Sequence, residues 1–241
     1  MMFSIIIPVF NEAQRIKDTL EVIIKYLNKK STEYELIIVD DGSTDETTKV
    51  IEEFFFLQYP QIKYKLFKNY KNLGKGAAVR KGVLSACGEL VYFTDADLST
   101  PIEEMFKFVD IIKKEGYDIV IGSRGLKESK ILVHQPFYRE TMGKIFNKIV
   151  KILLMNDFND TQCGAKMFKN EVAKKVFSLS TINNFAFDVE ILYIAKKLGY
   201  KIKEMPVVWK NFKGSKVKLL TDSIKMLLSL FKIKFNKYKW T

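Results

Sequence analysis

The chain of 241 residues reads as an α/β fold: a mostly parallel sheet flanked by helices, with an amphipathic helical segment at the C-terminal end. Three observations predict it. Short runs rich in β-branched and aromatic residues alternate along the chain with stretches whose apolar residues recur at helical spacing. Acidic or glycine-bearing turns fall just after several of those runs, where ligands collect in a parallel sheet. The hydrophobic fraction of 47% against 28% charged residues suits one globular domain with a large core.

Residues 3–9 form the first strand, and Ile16, Leu20, Ile23, Ile24 and Leu27 mark the apolar face of the helix behind it. Residues 34–39 form the second strand, which empties into Asp40-Asp41-Gly42-Ser43-Thr44-Asp45 before a helix reaching about residue 58. Asp41-Gly42 suits a tight turn and Ser43 or Thr44 a helix cap, but a cap needs only one acid. A third strand, 62–67, leads to Asn72-Leu73-Gly74-Lys75-Gly76 and a helix ending near Gly88. Its two glycines allow close backbone approach at a helix start, although the spacing is not that of a Walker A loop.

Val91-Tyr92-Phe93-Thr94 is the buried strand around which the chain is organised, and it runs straight into Asp95-Ala96-Asp97-Leu98-Ser99. Two carboxylates one residue apart offer hard oxygen ligands for Mg²⁺ or Mn²⁺ bridging to substrate phosphates. The same acids also suit capping, since Thr100-Pro101-Ile102-Glu103 is a good helix start. Residues 118–122 form a fifth strand ending in Ser123-Arg124-Gly125, where Arg124 either pairs with Glu128 or grips a phosphate with both arms. Residues 126–135 read as a polar loop and 136–155 as a helix mixing Arg139 and lysines with Ile145, Phe146, Ile149 and Leu153. A short strand at 164–168 and a helix opened by Asn184-Phe185-Ala186-Phe187-Asp188-Val189-Glu190 follow. Asp188 and Glu190 cannot share a helix face, so at most one serves a given site. A late strand spans 201–208, and 217–240 is amphipathic, with a lysine-rich face and a terminal Tyr238 and Trp240 that suit a membrane interface.

Composition excludes several chemistries. His134 is the sole histidine and Cys87 and Cys163 lie far apart, which leaves little for a zinc site or a Ser-His-Asp triad and suits a reducing cytoplasm. The apolar start breaks at Pro8 and lacks a basic leader, so it reads as a strand, and no apolar stretch is long enough to span a bilayer. Between 201 and 241 eleven lysines face only Glu204 and Asp222, a balance of +9 within the chain's +12. That asymmetry points to an anionic partner. Acids at the strand ends would oppose the phosphates of a nucleic acid, so an anionic membrane surface is the expected partner.

Taken in order, Ile5-Ile6-Ile7-Pro8-Val9-Phe10-Asn11-Glu12, Val39-Asp40-Asp41-Gly42-Ser43-Thr44-Asp45, Asn72-Leu73-Gly74-Lys75-Gly76, Asp95-Ala96-Asp97, Gly122-Ser123-Arg124 and Asp160-Thr161-Gln162-Cys163-Gly164 resemble the family 2 inverting glycosyltransferases. Within them the chain is most similar to the dolichyl- or polyprenyl-phosphate glucose and mannose synthases. The resemblance implies a GT-A-type Rossmann-like fold with a nucleotide-binding half over about 1–124 and an acceptor-binding half over about 125–212, the segment 213–241 meeting the membrane. It implies that Pro8, Phe10, Glu12, Asp40, Asp41 and Lys75 bind the nucleotide, and that Asp95 and Asp97 hold metal and diphosphate. It further implies that Arg124 and Arg139 take the acceptor phosphate with Lys210 and Lys216 nearby. The implied donor is a nucleotide-diphosphate sugar, UDP-glucose ahead of GDP-mannose, and the acceptor a dolichyl or polyprenyl phosphate at the cytoplasmic face of a membrane. A sugar hydroxyl as acceptor would instead need a base, for which Asp188 is the candidate.

Overall fold

Side chains alternate across a strand, so a run that is apolar throughout must be covered on both faces. In the computed structural model, which describes residues 1–212 and 219–240, Ile5 and Ile7 of β1 (Met2–Val9) face one helical layer and Ile6 the other. Each βα unit then adds a layer: α1 (Ile16–Lys29), β2 (Glu33–Asp40), α2 (Thr47–Gln58), β3 (Tyr64–Lys68), α3 (Lys75–Leu84), β4 (Leu90–Phe93), α4 (Glu104–Glu115) and β5 (Ile119–Ser123). Beyond them lie β6 (Lys130–Val133), α5 (Phe137–Leu153), β7 (Lys166–Lys169), α6 (Asn170–Leu179), α7 (Phe187–Lys197), β8 (Ile202–Pro206), β9 (Val208–Lys210) and α8 (Leu219–Phe235). The main sheet runs β3-β2-β1-β4-β7-β5-β8. One face packs on α1, α2 and α4 through residues such as Leu20, Phe55 and Phe108, the other on α3, α5, α6, α7 and α8 through Val79, Val150, Phe177, Leu192 and Leu230.

All neighbouring strands run parallel except at β7, which pairs antiparallel with both β4 and β5. The reversal has a direct consequence. An antiparallel strand starts where its parallel neighbours end, so the segment before β7, Asp160-Thr161-Gln162-Cys163-Gly164, is delivered to the carboxyl edge of the sheet beside Asp95.

Three sequence expectations need correction. Residues 126–135 are not simply a loop: β6 pairs parallel with β9, because Ile131 fits the core beside Trp209. The helix expected to begin at Pro101 begins at Glu104, after i→i+3 bonds from Glu104 N to Pro101 O (3.1 Å) and Met105 N to Ile102 O (3.1 Å). α6 was not anticipated, although Val172, Ala173, Val176 and Phe177 form its buried stripe.

The C-terminal helix carries apolar residues on two sides. Met226, Leu230 and Ile233 are buried in the core together with Tyr238, whereas Ile224, Leu228, Phe231 and Phe235 face outward among the exposed Lys225, Lys232 and Lys234. Because Leu230 is fully enclosed, Leu230→Ala should lower stability by about 2–5 kcal/mol in denaturant unfolding, and Phe235→Ser, at an exposed position, by less than about 1 kcal/mol.

Candidate active site

The turn after β4 is shaped by Leu98, whose positive φ of 48° closes a bond from Leu98 N to Asp95 O at 3.1 Å. Asp97 then accepts from Ser99 N at 2.9 Å. Lys75, the first residue of α3, reaches Asp95 Oδ1 at 2.5 Å. Two glycines make this approach feasible. Gly74 has φ 105°, and a Cβ there would fall 2.3 Å from Asn183 O. A Cβ on Gly164 would fall 2.0 Å from Asp95 Oδ2. Burial opposes ionisation of Asp95, yet the Lys75 ammonium holds its carboxyl below the usual range. Asp97, pushed up by burial and then by the Asp95 charge, lacks a comparable cation.

Two further ion pairs floor the site. Arg124 donates from Nε and Nη2 to Asp160 at 2.6 and 2.9 Å, and its backbone N–H adds a bond at 3.0 Å. The guanidinium lies 5.4 Å from the Trp209 ring centroid. Asp160 is therefore held down at a pKa of about 2 against burial, by the Arg124 charge. The fully buried Lys166 donates to Cys163 O and Asp188 Oδ1, each at 2.6 Å. Glu190 turns elsewhere, accepting from the backbone N–H groups of Thr181 and Ile182 and from the Tyr238 hydroxyl. Of the two acids at this helix start, Asp188 alone joins the site, with burial raising its carboxyl against the pull of Lys166 and Lys75.

Two cavities flank this floor. One of about 610 Å³ is lined by Phe10, Gly42, Ser43, Thr44, Lys68 and Asn69 with the neighbouring loop. Of the residues expected at the nucleotide only Phe10 lines this cavity; Asp40 and Asp41 are buried behind it and brace its loops, Asp40 accepting from Ser43 N at 2.8 Å and Thr48 Oγ1 at 2.5 Å, and Asp41 from Leu73 N and Gly74 N at 2.9 and 2.8 Å. Glu12 pairs with Arg15 at 2.5 Å, and Pro8 sits half-buried near the end of β1. The second cavity, about 360 Å³, is lined by Arg124, Arg139, Lys144, Asn147, Thr161 and Trp209 among others. Arg139 Nε, Asn147 Oδ1 and Thr161 Oγ1 are buried there without a hydrogen-bond partner among the described residues.

Arg124 pairs with Asp160 rather than with Glu128, and Lys210 does not line the second cavity. The Lys210 ammonium stacks 4.5 Å from the Phe212 centroid, although its backbone N–H ties β9 to Ser99 O at 2.9 Å. Lys216 lies outside the described residues. Sequence reasoning missed Asp160, Thr161 and Lys166 as individual contributors. The first two lie in a motif that carried the resemblance, whereas a lysine inside a short apolar strand gave no signal of its burial.

Among the described residues no group of three or more His, Cys, Asp or Glu side chains comes together as a metal cage. Asp95 and Asp97 nonetheless fit Mg²⁺ or Mn²⁺, which take one or two carboxylates and complete their shell with water and substrate phosphate.

An open cavity at the carboxyl edge of a mostly parallel sheet, with an acidic turn nearby and a second cavity lined by Arg124, Arg139 and Lys144, suits an anionic ligand. Residues 4–177 match Glycosyl transferase family 2. The chain belongs to that family and is a hexosyltransferase. It is 38% identical to a dolichyl-phosphate beta-glucosyltransferase of Dictyostelium discoideum over 96% of this chain and 73% of the relative. It is 35% identical to a dolichyl-phosphate beta-glucosyltransferase of Saccharomyces cerevisiae over 95% of this chain and 73% of the relative. The fold superimposes with a TM-score of 0.69 on glucosyl-3-phosphoglycerate synthase from Mycobacterium tuberculosis in complex with Mn²⁺, UDP and glucosyl-3-phosphoglycerate, covering 97% of this chain and 80% of that one at 19% identity.

Since the folded-state pKa of Asp160 is depressed from 3.8 to about 2, its contribution to stability is present above about pH 4 and lost as pH falls towards 2. Asp160→Asn should therefore flatten the acid limb of a stability–pH curve, removing about 2 kcal/mol at neutral pH.

Proposed function

We propose that the protein transfers glucose from UDP-glucose to the phosphate of a dolichyl or polyprenyl phosphate, inverting the anomeric carbon. The observation that carries this reading is the cavity beside Arg124, where buried Arg139 Nε and Thr161 Oγ1 have donors to give and no partner among the described residues. An unpartnered buried polar group calls for a water, an ion or a ligand, and an anion with several acceptor oxygens answers these two donors. The dolichyl-phosphate beta-glucosyltransferase relatives name the same chemistry.

The mechanism follows from charge. A phosphate monoester has a second pKa near 6, so at neutral pH the acceptor oxygen is already largely an oxyanion. It requires aim rather than activation, and Arg139, with the guanidinium of Arg124 held still by Asp160, supplies that aim. Lys75, at the start of α3 and paired with Asp95, would meet the leaving diphosphate beside that carboxylate. Asp95 and Asp97 would hold a divalent Mg²⁺ or Mn²⁺, which would neutralise the charge left on that diphosphate. One displacement on an α-linked donor yields a β-linked product.

The acceptor is carried by a membrane, and the exposed apolar residues of α8 among their lysines suit an anionic surface. Among the described residues no helix is long and apolar enough to cross a bilayer. On this reading the outward side of α8, with Ile224, Leu228, Phe231 and Phe235, meets the cytoplasmic face of the membrane while its inner side, with Met226, Leu230 and Ile233, stays packed on the catalytic core.

UDP- and GDP-sugars labelled in the hexose, offered with a short polyprenyl phosphate, should give butanol-extractable label with UDP-glucose, dependent on added Mn²⁺ or Mg²⁺. Asp97→Ala should abolish transfer, and label arising instead from GDP-mannose would redirect the donor assignment. Phe231→Ser with Phe235→Ser should weaken sedimentation with vesicles containing anionic lipid by about tenfold or more, in line with removing two large apolar side chains from the interface.

A further inference from the structure

We propose that Lys166 is a specificity-determining residue: through its bond to Asp188 it weakens the carboxylate that a hydroxyl acceptor or water would need as a base, which favours acceptors arriving as anions. The inference rests on the phosphate-acceptor reading above.

Lys166 has no exposed surface, and its ammonium is enclosed by Cys163 O, Asp188 Oδ1 and the Phe93 ring, whose centroid is 5.2 Å away. Burying an ammonium is costly, and a methionine or leucine would join β7 to α7 without that cost. Packing alone therefore does not account for a charge here. What the charge does is fixed by its partner. Asp188 lies in the first turn of α7, next to Phe187, whose ring centroid is 6.0 Å from the Lys75 ammonium, and is 3% exposed. A carboxylate so enclosed is a stronger base than one in water, because burial favours taking up a proton. The ammonium at 2.6 Å works against that proton uptake.

The two acceptor types differ at this point. For a hydroxyl or water, the O–H bond breaks and its proton passes to Asp188. The oxygen's electron pair bonds to the anomeric carbon, and the nucleoside diphosphate leaves with the pair of the broken C–O bond. For a phosphate monoester the attacking oxygen is already anionic and no proton moves. Weakening the base therefore slows the first route and spares the second, which also protects the activated sugar from hydrolysis. Glu190 cannot stand in, since Thr181, Ile182 and Tyr238 occupy its carboxylate.

The test compares donor hydrolysis plus transfer to a short polyprenol with transfer to the matching polyprenyl phosphate, at saturating UDP-glucose. Lys166→Gln keeps hydrogen-bonding capacity without charge and should raise the hydroxyl-to-phosphate ratio by at least about tenfold, a modest part of what a general base supplies. Lys166→Arg should keep the wild-type ratio, and Lys166→Gln with Asp188→Asn should return to it. An unchanged ratio in Lys166→Gln, or a raised ratio that survives loss of Asp188, overturns the proposal. Should Lys166→Gln fail to fold, Lys166→Met, which fills the same enclosed space without the charge, takes its place with the same two outcomes: a raised ratio that depends on Asp188 supports the proposal, and an unchanged one overturns it. A wild-type enzyme that prefers the polyprenol to its phosphate refutes the phosphate-acceptor reading itself, a separate outcome from an unresponsive Lys166→Gln.

Discussion

Charges removed from water at the carboxyl edge of the sheet must find opposite charges, and this requirement organises the molecule. Three pairs meet it, and each joins elements distant in sequence. Lys75 at the start of α3 meets Asp95 after β4, Arg124 after β5 meets Asp160 before β7, and Lys166 at the start of β7 meets Asp188 in α7. Each pair thus fixes a loop as well as a charge. For the enclosed Lys166–Asp188 pair, taking one partner away leaves the other buried and uncompensated, an error typically worth about 3–5 kcal/mol. Asp97 is the exception, a carboxyl beside another carboxyl, and it is where an added cation has most to offer.

The reversed strand β7 makes this arrangement possible. A sheet of parallel strands alone would place only loops that follow strands at the reactive edge. By entering antiparallel between β4 and β5, β7 brings a preceding segment there as well, so Asp160 and Gly164 meet Arg124 and Asp95 from the opposite direction. Gly164 shows how tight the meeting is, since the space a side chain would need is already filled by the Asp95 carboxylate.

Much of this was legible in the sequence. The βα units over the first half are written in long apolar runs and helical periodicity, which report burial directly, and the acids at 40, 41, 95 and 97 mark strand ends. One short element, β6, was not legible. β6 has four residues, too few for a period, and it depends on a partner strand far along the chain. The roles of Asp160 and Lys166 were hidden for a different reason: a single charged side chain says nothing about its burial until its partner is known, and these partners lie 36 and 22 residues away. For Asp188 and Glu190 spacing correctly separated the pair but could not say which would face inward.

Tyr238, near the end of the chain, gives its hydroxyl to Glu190, two residues from Asp188, while the helix before it presents Phe231 and Phe235 to the outside. The outer surface and the reactive floor are therefore mechanically continuous across one helix. By mass action, anything that grips the outer side of α8 in its packed position stabilises the seat of α7 in proportion to the logarithm of its concentration over its dissociation constant. Occupancy of that remote surface and rigidity of the catalytic floor are in this way two readings of one equilibrium.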